Sequence, residues 1–170
     1  MSAFADSMDR DGNHAVLTGD YPFRAKRTIT FLGGTTNAWG DDGGTLDGGA
    51  IYTVTGIVQV KLLGEVTTSL GGGGALIEVG IAGDTAIFMP QETETNLDAG
   101  HIWLNDGTPA AFYIIGEEGA AIDNLPEYLL NGQDIILTVS NSQNVTSGVI
   151  DFFALWKPIS DDGSLEATTT

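Results

Sequence analysis

Hydrophobic and polar residues alternate with a period of two over most of the chain. Arg27-Thr-Ile-Thr-Phe-Leu32 sets Ile29 and Phe31 on one side and Thr28 and Thr30 on the other. The longest run is 50–63, with Tyr52, Val54, Gly56, Val58, Val60 and Leu62 on one face and Thr53, Thr55, Gln59 and Lys61 on the other. This pattern predicts half-buried strands, and Gly56 in the middle of one long strand predicts a bulge or bend. Leu76 to Ala82 follows, with Ile77, Val79 and Ile81 inward and Glu78 outward, and Gly83-Asp84 is a tight turn into Thr85–Met89, making a hairpin. Further strands are expected at Ile102–Leu104, Ala111–Ile115, Asp134–Val139 and Gly148–Lys157, where Ile150, Phe152, Ala154 and Trp156 alternate against Asp151 and Lys157. Only Asp123 to Asn131 hints at a helix, and Pro126 confines it to about one turn.

Turn residues divide these segments. Residues 1–25 read as a polar arm, 26–158 as the body and 159–170 as a frayed tail. Seven glycines between 33 and 49 make that stretch a long loop, pinned to the body by Trp39 and Leu46. Ser69 to Gly74 reads as a turn. About eight strands with almost no helix predict an all-β, jelly-roll-like β-sandwich with an extended N-terminal arm. An immunoglobulin-like sandwich is the rival, with about seven strands and shorter loops.

Composition narrows the function classes. The chain has 170 residues, 42% of them apolar, which suits one domain with its own core. Its 6 Lys and Arg stand against 23 Asp and Glu, a net charge of −17 that argues against nucleic acid and anionic membranes as partners. Without cysteine there is no disulfide framework, thiol nucleophile or thiolate metal site. No apolar stretch approaches the roughly 20 residues of a membrane span. The polar N-terminus has no basic-then-apolar export signal, so synthesis in a cytoplasm is expected.

Catalytic patterns are scarce. His14 lies in the arm and His101 at the rim of a strand, there is no Gly-x-Ser-x-Gly elbow, and Gly71–Gly74 lacks the lysine and spacing of a phosphate loop. Glu92 with Glu94, and Glu117 with Glu118, read as solvated charges rather than a glycosidase pair. Asp9-Arg-Asp-Gly-Asn13 begins like an EF-hand loop, but His14 and Asp20 occupy the positions that need Gly and Glu. Asp41, Asp42 and Asp47 have the oxygen chemistry for Ca²⁺, although Asp-Gly pairs more simply form turns. The expectation is a protein that is not an enzyme, with no catalytic residue, no metal and no cofactor. Tyr113, Phe152 and Trp156 read as core. Contact chemistry concentrates where the arm meets the body: Arg24, Lys26 and Arg27 form a basic patch, with its own carboxylates or an acidic partner as the alternatives. Tyr21-Pro-Phe23 is either a docking anchor or a segment folded back on its own sandwich.

The runs Arg27-Thr-Ile-Thr-Phe-Leu, Gly40-Asp-Asp-Gly-Gly-Thr, Ile51-Tyr-Thr-Val-Thr-Gly-Ile-Val, Val79-Gly-Ile-Ala-Gly-Asp-Thr-Ala86 and Asn144-Val-Thr-Ser-Gly-Val-Ile-Asp-Phe-Phe-Ala-Leu-Trp-Lys-Pro158 resemble small β-rich virion proteins of tailed bacteriophages. The likeness covers about residues 24–158 and rests on strand-and-turn patterns. It implies a capsid decoration, or cement, protein: a homotrimer on the capsid surface of the virion, made in the bacterial host cytoplasm and stabilising the head by binding the major capsid protein. Tyr21, Phe23, Arg24, Lys26 and Arg27 are then the expected contacts. The alternative is a tail-fibre or spike-type module that binds a host-surface glycan through the 33–49 loop and Trp39.

Overall fold

The computed structural model describes residues 23–35, 37–105 and 125–169. They form ten strands: β1 (Phe23–Thr30), β2 (Gly49–Thr55), β3 (Ile57–Gly72), β4 (Leu76–Ile81), β5 (Asp84–Thr93), β6 (Ile102–Trp103), β7 (Tyr128–Asn131), β8 (Ile135–Ser140), β9 (Val145–Pro158) and β10 (Ser164–Ala167). The only helical element among the described residues is a 3-10 turn at Glu94–Asn96.

Two antiparallel sheets pack face to face. The first has the order β1-β9-β3, with β6 and β7 both on the outer edge of β3, and the second runs β10-β2-β8-β4-β5. The pairing is nested: β1 with β9, β2 with β8, β3 with β6 and β7, β4 with β5. A long hairpin rolled up on itself gives this order, and it is that of a jelly roll. Inward residues of both sheets share one core. Ile29, Val58, Val60, Leu62, Ile150, Phe152 and Ala154 come from the first sheet, and Tyr52, Val54, Ile77, Val79, Leu137 and Val139 from the second.

Four local expectations need correction. Residues 50–63 are two strands in different sheets, not one bent strand. Gly56, at φ +60°, is the corner between them. The alternation ran on unbroken because both strands face the same core. The turn expected at Ser69–Gly74 starts later, since β3 continues to Gly72. Tyr128 to Asn131 is extended, not helical: Leu130 is buried and β7 pairs with Ile57–Val60. The tail at 159–170 contains β10, which pairs with Tyr52–Thr55 and buries Leu165. The strand expected at Ala111–Ile115 lies outside the described residues.

The fourth strand position of the first sheet is filled in two pieces. Trp103 of β6 pairs with Gly64 and Tyr128 of β7 with Val60. Three residues of β3 therefore separate the two pairings, while residues 104–127 of the chain lie between them.

Candidate functional site: the outer face of the first sheet

Strict alternation along β1, β9 and β3 sends every second side chain away from the core. The outward positions are Arg24, Lys26 and Thr28 on β1, Asp151, Phe153, Leu155 and Lys157 on β9, and Gln59, Lys61, Leu63 and Glu65 on β3. Register aligns them in rows across the sheet. Arg24 lies opposite Leu155, and Leu155 opposite Lys61; Lys26 lies opposite Phe153, and Phe153 opposite Leu63. Leu129 of β7, 67% exposed, extends the apolar part at the far edge beside Gln59.

The cations are held over this apolar strip. The Arg24 guanidinium carbon lies 5.7 Å from the Phe153 ring centroid and Lys26 Nζ lies 5.4 Å from it, within cation–π range. Lys26 Nζ also contacts Asp151 Oδ2 at 2.7 Å, and Thr28 donates its hydroxyl to the other oxygen of Asp151. Lys61 Nζ lies 2.9 Å from Glu127 Oε1, and the Gln59 amide donates to the same carboxylate. The half-exposed Lys61–Glu127 pair contributes at most about 1 kcal/mol and fixes its side chains more than it stabilises the fold, whereas Asp151 is buried and held by both Lys26 and Thr28.

The charge distribution sets this face apart. Arg24, Lys26, Lys61 and Lys157 are four of the five Lys and Arg among the described residues, whereas Glu65, Glu127 and Asp151 are three of the fifteen described Asp and Glu. A protein of net charge −17 has therefore gathered most of its positive charge around an apolar strip on one side.

The residues singled out from sequence divide accordingly. Arg24 and Lys26 lie on this face and are exposed. Arg27 has the opposite parity and is half-buried. Burial pushes the pKa of the neighbouring Tyr52 phenol well above the ordinary phenol range, and the Arg27 charge offsets only a small part of this. Phe23 belongs to β1 rather than to an arm, and its ring stacks on Trp156 at 4.7 Å. Tyr21 lies outside the described residues. Trp39 is 6% exposed and part of the core, so it is not the surface platform a glycan-binding loop requires.

The 33–49 loop is built by its aspartates. Asp41 accepts the Gly34 amide at 2.7 Å, and Asp42 accepts the Ser142 amide. Asp47 accepts Gly43 N–H at 2.9 Å and Val139 N–H at 2.8 Å. These carboxylates cap backbone donors, and no group of three or more potential metal ligands occurs among the described residues. His101 serves its own turn, with Nδ1 3.2 Å from the Asp98 amide nitrogen. Glu92 accepts the Thr93 amide at 2.9 Å, while Glu94 is fully buried and accepts Gly74 N–H at 2.9 Å, so the two do different structural work. Glu117 and Glu118 lie outside the described residues.

Sequence reading missed Lys61, Leu63, Phe153, Leu155 and Lys157 as members of one surface. The available signal was parity: Phe153 and Leu155 are apolar at outward positions of β9, where a sheet with one wet face should be polar. No protein-family model, curated protein or solved structure matches the chain.

Proposed function

We propose that this chain is a structural protein of a tailed-phage virion, a capsid decoration protein that cements the head by binding the major capsid protein as a homotrimer. The observation that carries the reading is the gathering of four cations around a partly exposed apolar strip, Leu63, Phe153 and Leu155 with the exposed Leu129 at its edge, on the outer face of the first sheet of a strongly acidic protein. Such a polarised slab attaches through one side and presents a charged, self-repelling side to water. The phage-like strand and turn segments support the same reading. Several copies per particle make each later contact intramolecular, so modest individual contacts hold against pressure.

The test is co-sedimentation of the purified protein with capsids of the phage that encodes it, together with electron microscopy of the particles. We expect saturable binding at regular lattice positions, lost when Arg24 and Lys157 are both changed to Glu and when residues 2–20 are deleted. The deletion stops short of Phe23 because the Phe23–Trp156 stack belongs to the body. Absence from virions, or location on the tail alone, overturns the assignment.

A further inference from the structure

The outer face of the first sheet has a complement within the chain itself. Residues 1–22 contain Asp6, Asp9, Asp11 and Asp20 against the single cation Arg10, with Phe4, Met8, Val16, Leu17 and Tyr21 interspersed. The segment is thus acidic with apolar side chains, and the face is cationic with an apolar strip. Reach is sufficient: about 22 extended residues span roughly 70 Å, whereas four strand positions at about 4.8 Å spacing make a face under about 20 Å wide.

We propose that this face is the docking surface for the N-terminal segment, residues 1–22, of a neighbouring copy of the chain. Direction favours the neighbour over the same copy. The Phe23 ring is fixed on Trp156 at the end of the β1–β9 ladder, so the preceding residues join the body at the end of the sheet. At Phe23 the direction of β1 points the preceding chain off the end of the sheet, so covering its own face requires it to turn back, whereas a copy lying beyond that end is met without a turn. The donating and receiving patches are different, so the contact is heterologous, and repetition closes it into a ring when the rotation fits. The inference rests on the self-assembly part of the function proposed above but not on capsid attachment, so it is tested with purified protein and no capsids.

The chain has no cysteine, which makes site-specific cross-linking clean. Full-length Val16→Cys, isotopically light, is mixed with full-length heavy chain carrying Leu63→Cys or, separately, the exposed Leu129→Cys, and oxidised at micromolar concentration. Mass spectrometry is expected to find light–heavy disulfides between the arm and at least one face position. Adding Arg24→Glu and Lys157→Glu to the heavy chain is expected to slow their formation at least ten-fold, with unchanged circular dichroism. A chain carrying Val16→Cys together with Leu129→Cys is expected to give between-chain ladders. Closure within one chain only, no arm–face disulfide at either position, or cross-linking indifferent to the charge reversals overturns the proposal.

Discussion

Tyr52 ties the two sheets together, and replacing it by Phe separates two effects that follow from its burial. Its side chain starts in β2 of the second sheet and is fully buried. Its hydroxyl donates to the Phe152 carbonyl of β9, in the first sheet, at 2.7 Å. Tyr52→Phe keeps the ring and removes the donor. At pH 7 the loss is about 1–3 kcal/mol, the cost of an unmade bond to a buried acceptor. Burial holds the folded-state phenol protonated well beyond its ordinary pKa of 10.0, so above that pH the unfolded chain releases a proton that the folded chain keeps. Tyr52 therefore contributes stability that is fully present below pH 10 and is lost as pH rises toward the folded-state value. The slope is about 1.4 kcal/mol per pH unit, and Tyr52→Phe lacks it. The advantage of wild type should therefore shrink above pH 10 and vanish one to two units higher. Denaturant unfolding of both proteins at pH 7, 10 and 11, followed by tryptophan fluorescence, measures this. Every group common to the two proteins cancels in the difference. A stability gap that stays constant from pH 7 to 11 refutes the reasoning.

Four further outcomes follow from specific contacts. Gly40 has φ +106° and a Cβ there would lie 2.2 Å from the Val145 carbonyl oxygen, so Gly40→Ala should cost about 3 kcal/mol or more; a thermal melt should show a drop of about 10 °C. Asp47→Ala removes two amide–carboxylate bonds and should cost about 2–4 kcal/mol by denaturant titration. Millimolar Ca²⁺ should leave the wild-type melting temperature unchanged, and a clear rise would return the loop aspartates to consideration as ligands. Leu165→Ala should cost about 2–4 kcal/mol because β10 buries that side chain, whereas unaltered stability would mean that the C-terminal strand is not docked in solution.

Fold class was legible because alternation directly reports a sheet with one face on a core, as in Ile29 and Phe31 or Ile150, Phe152 and Ala154. Which strands pair was not legible, since period-2 patterning carries no information about the partner. The Gly56 corner shows the limit most clearly: two strands in different sheets keep one parity because they face the same interior. Short segments failed for a related reason. Tyr128–Asn131 and Ser164–Ala167 are too brief to show a period, and their strands exist because β3 and β2 offer edges to pair with. The candidate surface was half visible. Arg24 and Lys26 are neighbours in sequence, but Lys61 and Lys157 join them only through register across three strands. The charge of Arg27, adjacent in sequence, turns the other way because a strand alternates its sides.

Nesting also governs when the chain can fold. The innermost pair, β4 with β5, is a local hairpin available early in synthesis, whereas β9, which fills the gap between β1 and β3, ends at Pro158. The Phe23–Trp156 pairing spans most of the polypeptide, and contacts of such long sequence separation slow folding. Until the ribosome has released the chain through Pro158, β1 and β3 have no central partner, and their open edges are sites for mispairing with other nascent chains. Fast, concentrated expression should therefore challenge this protein more than heat does once its last long strand is in place.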